Sequence, residues 1–306
     1  IQIRAGSVVI PLHNPIRVAE EWSMVDNLSN GRVALSFASG WHANDFVLAP
    51  QNYADRREGM MRGIETVRAL WRGDSVTALN GVGAETSVKI LPRPVQSELP
   101  VWLTAAGSPD TFRMAGEIGA GVLTHLLGQS VEDLAAKIED YRTAFRQHHP
   151  QRGDGHVTLM MHTFVGDDLE LVREKVRVPF TNYLRTSLHL LRSLARTRGQ
   201  DIDAEDFTEE KMEQLLNNAF ERYFTTSSLF GTPATCLEMI NRLKGLGVDE
   251  VACLIDFGVD TNYGYTAPID MAAGKTMLLG MKQNKDYHHR VTAKDGGKNY
   301  KAFVFG

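Results

Sequence analysis

The run Val101-Trp102-Leu103-Thr104-Ala105-Ala106-Gly107-Ser108-Pro109 is an apolar strand that narrows to small residues and then opens a helix. A second run, Leu35-Ser36-Phe37-Ala38-Ser39-Gly40-Trp41-His42, narrows in the same way. Small side chains at a strand end let backbone amides come close to a ligand. A Ser followed by Pro starts a helix whose amino end attracts an anion. Both runs read as carboxyl-terminal strand ends against which a flat or phosphorylated ligand lies.

Working outward, strands and helices alternate. Ile3 to Ile10 is a β-branched run, and Asn14-Pro15 caps a helix to about Leu28 that Asn30-Gly31 ends. Val33 to Ala38 is the next strand, and Met60, Ile64, Val67 and Trp71 share one face of a helix over about 54–71. Residues 73–98 are rich in turn formers and include a possible short hairpin. Strands follow at 101–106, 121–126, 157–165 and 250–255, with a helix over 109–118. Val131, Leu134, Ile138, Tyr141 and Phe145 make the apolar face of another helix. Six apolar strands separated by amphipathic helices describe a parallel sheet buried on both sides. The stretch 168–229 is charged and helical, too long for an ordinary connection, and reads as an inserted or mobile lid.

Composition narrows the function classes. The 306 residues carry a net charge of −4, which argues against nucleic acid as the main partner. No apolar run approaches the roughly 20 residues that span a bilayer. Ile1 opens into strand-like sequence without a signal segment, and Cys236 and Cys253 have neither metal nor disulfide spacing. Both cysteines read as buried thiols of a cytoplasmic protein.

Several motifs in order carry a family likeness: Gly6-Ser7-Val8-Val9-Ile10-Pro11, Asn14-Pro15-Ile16-Arg17, Asp26-Asn27-Leu28-Ser29-Asn30-Gly31-Arg32, Ser39-Gly40-Trp41 with Asn44-Asp45-Phe46, Ala106-Gly107-Ser108, and Gly231-Thr232-Pro233. Over about residues 1–260 the chain resembles the bacterial luciferase-like flavin monooxygenases, and in wording a subgroup found beside natural-product assembly lines. The resemblance implies an α/β fold, a (β/α)₈ TIM barrel of luciferase-like type. It places the barrel domain at 1–261, with a helical insertion at about 186–229 and an unmatched tail at 262–306. The family pattern starts two β/α units earlier than Ile1, about 60–80 residues at roughly 30 per unit. A His that acts near the flavin in relatives falls in those units.

The resemblance also assigns a site. Ser108, with Thr111 one turn on, would hold the phosphate of FMN; the bland reading of Ser108 is a plain helix cap. Gly6 and Ser7 correspond to a strained, sometimes cis, peptide against the flavin ring, or else to ordinary barrel-strand residues. Ala38, Ser39 and Gly40 leave room for the ring, as do Ala106 and Gly107. Trp41 lines the pocket or anchors its loop, with His42 projecting from the same face as a candidate for catalysis. Thr124 and His125 meet the flavin face, and His125 would relay a proton, its rival reading being a bonded core histidine. His162 reads as a buried, hydrogen-bonded histidine. Among Asn44, Asp45, Tyr53, Arg56 and Arg57, one arginine either reaches the phosphate or pairs with Asp55 or Glu58 on the helix surface. Lys275, Lys282, Lys285, Lys294 and Lys298 in the tail read as a solvated face, with docking to an acidic carrier protein as the rival.

The implied activity is FMN-dependent monooxygenation with O₂ as co-substrate, acting on a small or carrier-protein-tethered intermediate. A separate flavin reductase supplies reduced FMN, because no nicotinamide fingerprint occurs in the chain. The alternatives are a non-catalytic flavin-binding barrel remnant and a deazaflavin-dependent oxidoreductase. A homodimer is a family expectation. No metal, nucleic acid or membrane partner is expected.

Overall fold

The computed structural model describes residues 2–186 and 209–259. The chain forms two compact units, one over residues 1–104 and one beginning at Ala105.

The first unit is built on parallel strands β1 (Ile3–Val9), β2 (Val33–Ala38) and β5 (Val101–Ala105). β1 lies beside β2 from Ile3↔Val33 to Val9↔Ala38, with a register shift between Gly6 and Val8. β2 continues to β5 through Leu35↔Val101 and Phe37↔Leu103. Val33, Ala34, Leu35 and Phe37 are all buried, which is why this strand has no polar alternation. α1 (Pro15–Ser29) starts at Asn14, whose Oδ1 accepts from the Ile16 amide at 2.9 Å, and stops at left-handed Asn30. α2 (Arg56–Arg72) buries Met60, Ile64, Val67 and Trp71, the face its periodicity predicts. The possible hairpin is present as antiparallel β3 (Val76–Leu79) and β4 (Glu85–Val88). One buried carboxylate organises the approach to β5. Asp26 Oδ2 accepts from the amides of Val95 (2.8 Å) and Gln96 (3.0 Å), and Oδ1 accepts from Gln96 Nε2 (2.7 Å).

The second unit runs α3 (Pro109–Glu117), β6 (Gly121–His125), α4 (Val131–His148), β7 (Val157–Val165), α5 (Leu169–Thr186), α6 (Glu209–Thr226), β8 (Leu229–Gly231), α7 (Pro233–Gly245) and β9 (Glu250–Leu254). β7 is central, parallel to β6 (His125↔Met160), to β9 (His162↔Leu254) and, at its far end, to β8 (Thr163↔Leu229). At three residues, β8 is too short for a hydrophobic run to reveal it. α4 buries Val131, Leu134, Ile138, Tyr141 and Phe145 as its spacing predicts. Cys236 is buried, whereas Cys253 on β9 is only partly so; burial pushes the two thiols up to about 12 and about 11.

The stretch expected as a lid differs from that expectation where it is described. Leu216, Phe220, Tyr223 and Phe224 of α6 join Val176, Phe180 and Leu184 of α5 and Phe230 and Phe257 in one buried cluster. Each large apolar side chain buried this way stabilises by about 1.5–3 kcal/mol, so α6 is core rather than a loose cover. Residues 187–208 of the expected insertion and the tail from 260, with its lysines, lie outside the described residues.

α3 and α4 meet at Gly116, where a Cβ would stand 2.6 Å from the Tyr141 carbonyl oxygen and 2.8 Å from the Phe145 amide nitrogen. Only hydrogen fits against that backbone. Gly116→Ala is expected to force the helices apart and to cost about 1–3 kcal/mol, read as a lowered urea midpoint. An unchanged midpoint would mean the helices have slack that the contact distances deny.

Candidate functional site

The end of β5 turns into α3 through Gly107, whose φ of 136° is a conformation that side chains rarely adopt. Ser108 then takes the N-cap position with φ −72° and ψ 120°, and Pro109 begins the helix. The caps of α1, α4 and α7 (Asn14, Ser130 and Thr232) accept hydrogen bonds from their helix amides through their side chains. Ser108 does not: its carbonyl takes the Thr111 amide (3.1 Å), and its hydroxyl makes no cap bond. Ser108 keeps the N-cap backbone position without the side-chain cap bond, as does Asp55 at the start of α2. The Ser108 hydroxyl, the Thr111 hydroxyl one turn on and the positive end of α3 make a combination suited to an anion. The Asp110 carboxylate, the one opposing charge in that first turn, is paired with Arg113.

Behind this turn a chain of hydrogen bonds fixes the strand ends. Thr124 Oγ1 donates to the Ala105 carbonyl at 2.7 Å, and Gln129 Nε2 donates to Thr124 Oγ1 (3.0 Å) and the His125 carbonyl (2.7 Å). Lys137 Nζ donates to Gln129 Oε1 at 2.7 Å, and the ammonium stands 3.6 Å from where a Gly107 Cβ would be. Thr124, expected against the flavin face, is fully buried with its hydroxyl committed to this chain. It positions the β5 end. Gln129 and Lys137 escaped the reading of the sequence. The one available signal was Lys137 itself, a cation three and four residues from Leu134 and Tyr141 on the buried side of α4.

His125 ends β6, and its Nδ1 accepts from the Leu127 amide at 3.3 Å, which leaves Nε2 to carry the proton. Burial lowers its pKa to about 4. The ring is neutral at neutral pH, so it offers an N–H donor and not the imidazolium that an acid relay needs. His162 is the buried, bonded histidine expected: 2% exposed, 3.0 Å from the Tyr223 hydroxyl and ringed by Phe180, Tyr183 and Phe257. Burial, and next the neighbouring His125, lower its pKa to about 3.

In the first unit, the Gly6–Ser7 peptide is cis and lies at the register shift of β1, inside the strand rather than at its end. Ala38 ends β2, and Ser39 Oγ lies 3.4 Å from the Gly40 carbonyl oxygen. Arg56 Nε donates to that same carbonyl at 3.2 Å and Nη1 to the Tyr53 carbonyl at 2.9 Å, with the guanidinium over the Tyr53 ring. Arg56 braces the loop after β2. Trp41 is 58% exposed and its ring lies edge-on to His42. His42 Nδ1 lies 3.4 Å from Asp45 Oδ1 without hydrogen-bond alignment. A bonded pair the sequence did not flag, Ser36 Oγ with Thr104 Oγ1 at 2.7 Å, joins β2 to β5. Among the described residues no cluster of His, Cys, Asp or Glu could hold a metal ion, and no helix is long and apolar enough to cross a membrane.

The model of the luciferase-like monooxygenase family matches residues 1–250. The chain is 29% identical over 170 residues to 4-hydroxyprotoasukamycin monooxygenase of Streptomyces nodosus subsp. asukaensis, spanning 53% of this chain and 46% of that protein. It is 24% identical over 275 residues to the oxygenase component of flavin-dependent trigonelline monooxygenase from Acinetobacter baylyi, covering 85% and 71%. Among solved structures, the oxygenating constituent of 3,6-diketocamphane monooxygenase from Pseudomonas putida, a complex with FMN, superposes with a TM-score of 0.61 at 16% identity. That superposition covers 84% of this chain and 74% of that one. The fold is thus that of the luciferase-like barrels, and the chain spans about half to three quarters of the length of these relatives.

Proposed function

The chain belongs to the luciferase-like monooxygenase family, and from that membership we propose that it serves an FMN-dependent monooxygenase, seating the cofactor phosphate at the start of α3. The observation that carries this reading is the Ser108 hydroxyl, placed at a helix start and unused by its own helix. A dianionic phosphate there receives hydroxyl hydrogen bonds and the favourable field of the helix amino end. The Gly107 turn, fixed from behind by Thr124 and Gln129, holds the backbone where such a group can approach. The residues present fit the group.

Reduced FMN, when bound, supplies the reaction with O₂; the protein's part is to bind, orient and shield. Gly6, Ser7, Ala38, Ser39, Gly40, Ala106 and Gly107 are the proposed ring and backbone contacts. Of the proposed catalytic histidines, His125 acts as a neutral donor through Nε2, and His42 is the more exposed. The substrate is a small or carrier-tethered natural-product intermediate, and reduced flavin comes from a separate reductase. The designation of the Acinetobacter relative as an oxygenase component supports that division of labour.

Titration with oxidised FMN and with riboflavin tests the site. Combined Ser108→Ala and Thr111→Ala is expected to weaken FMN about tenfold, about 1.4 kcal/mol, with riboflavin unchanged. Equal FMN affinity in the double variant would put the phosphate elsewhere. A wild-type chain that prefers a deazaflavin over FMN would overturn the cofactor assignment.

A further inference from the structure

We propose that Lys137 supplies the cationic contact of the bound flavin phosphate, an inference that rests on the phosphate position proposed above. The Lys137 ammonium is held in place. Gln129 spends its amide N–H groups on Thr124 Oγ1 and the His125 carbonyl, which turns Oε1 toward Lys137 and fixes the 2.7 Å bond. That bond occupies one of three ammonium donors, and a neutral amide oxygen cancels none of the charge. The held ammonium lies against Gly107, the residue before the helix start, at 3.6 Å from the Cβ position that glycine leaves vacant.

The ordinary alternative is a lysine that lays its stem along the apolar edge of α4 and leaves its head in water. The geometry differs from that picture, because the head is tied to a network that also sets the end of β5. Partial burial lowers the Lys137 pKa, the neighbouring Asp133 opposing the shift. The ammonium thus has one carboxylate neighbour and donors left over for a second anion. A phosphate bound by Ser108, Thr111 and the α3 start provides one, and the ion pair formed is of the stronger, charge-assisted kind.

The test is Lys137→Met, which keeps length and removes charge, measured beside Ser108→Ala in the full chain. Dissociation constants for oxidised FMN and for riboflavin are read from flavin fluorescence at two salt concentrations. The expected result is about tenfold weaker FMN binding by Lys137→Met, unchanged riboflavin binding, and a flatter salt dependence than wild type. Weakening of both flavins by the same factor would show a merely structural lysine and overturn the inference. Unaltered FMN binding in Lys137→Met, with binding weakened by Ser108→Ala, would overturn the inference while leaving the phosphate position standing. If neither variant changes FMN binding, the phosphate position falls and Lys137 falls with it.

Discussion

Lowering the pH from 6.5 to 5 is expected to remove stability steeply, because two buried imidazoles resist protonation in the folded protein. An unfolded histidine binds its proton near 6.5, whereas His162 waits until about 3 and His125 until about 4. Below 6.5 the unfolded chain therefore binds more protons than the folded one. The stability these neutral rings permit is complete above that pH and drains away as the pH falls toward the folded values. Each imidazole costs about 1.4 kcal/mol per pH unit in that window. The firmer share belongs to His162, which is 2% exposed and enclosed by aromatic rings; His125 keeps some exposure and contributes less. The window down to pH 5 lies above the ordinary carboxylate range, so acidic side chains do not mask the slope. Urea titrations at pH 7, 6 and 5 check it, together with His125 and His162 resonances that stay neutral throughout. A flat stability profile, or imidazolium signals of these two residues already present near pH 6, would contradict the burial.

Asp26→Ala is expected to destabilise the first unit by about 3–5 kcal/mol. The fully buried carboxylate accepts three hydrogen bonds, two from the Val95 and Gln96 amides and one from the Gln96 side chain. Bonds to a charged acceptor are worth about 1.5–3 kcal/mol, and each donor stranded away from water adds its own penalty. Gln96 is also tied to the Val33 carbonyl by its side chain (2.9 Å) and to Trp71 by its own carbonyl (3.0 Å), so loosening it unsettles both β2 and α2. Thermal and urea unfolding measure the loss. A variant within about 1 kcal/mol of wild type would show that the 93–97 segment is held by something else.

Asp26 also explains why the signature stretch 26–32 stays together. Asp26 ties down the segment before β5, while Asn30 and Gly31 carry the left-handed turn into β2. One signature thus serves two local needs.

Local physics made most of the fold legible. The six long strands and the helices between them follow from hydrophobic period and cap chemistry, as at Asn14-Pro15 and Ser130. The failures share one cause, namely that they depend on partners distant in sequence. α6 carries a charged, helical sequence that reads as a lid, yet its aromatic face completes a core assembled from α5, β8 and the residues around Phe257. Equally beyond local pattern are the bond from the Thr124 hydroxyl to the Ala105 carbonyl and those from Arg56 to the Gly40 and Tyr53 carbonyls.

By itself the amino-acid sequence determined the alternation of apolar strands with amphipathic helices and the Gly107-Ser108-Pro109 helix start, because period, turn and cap preferences act over a few neighbouring residues. Tertiary structure alone decided that the Ser108 hydroxyl does not cap its own helix, that two histidines are neutral, and that Lys137 is tied down against Gly107. Those outcomes depend on which donors, acceptors and apolar surfaces the folded chain brings within about 3–4 Å of one another, and no local pattern encodes that competition.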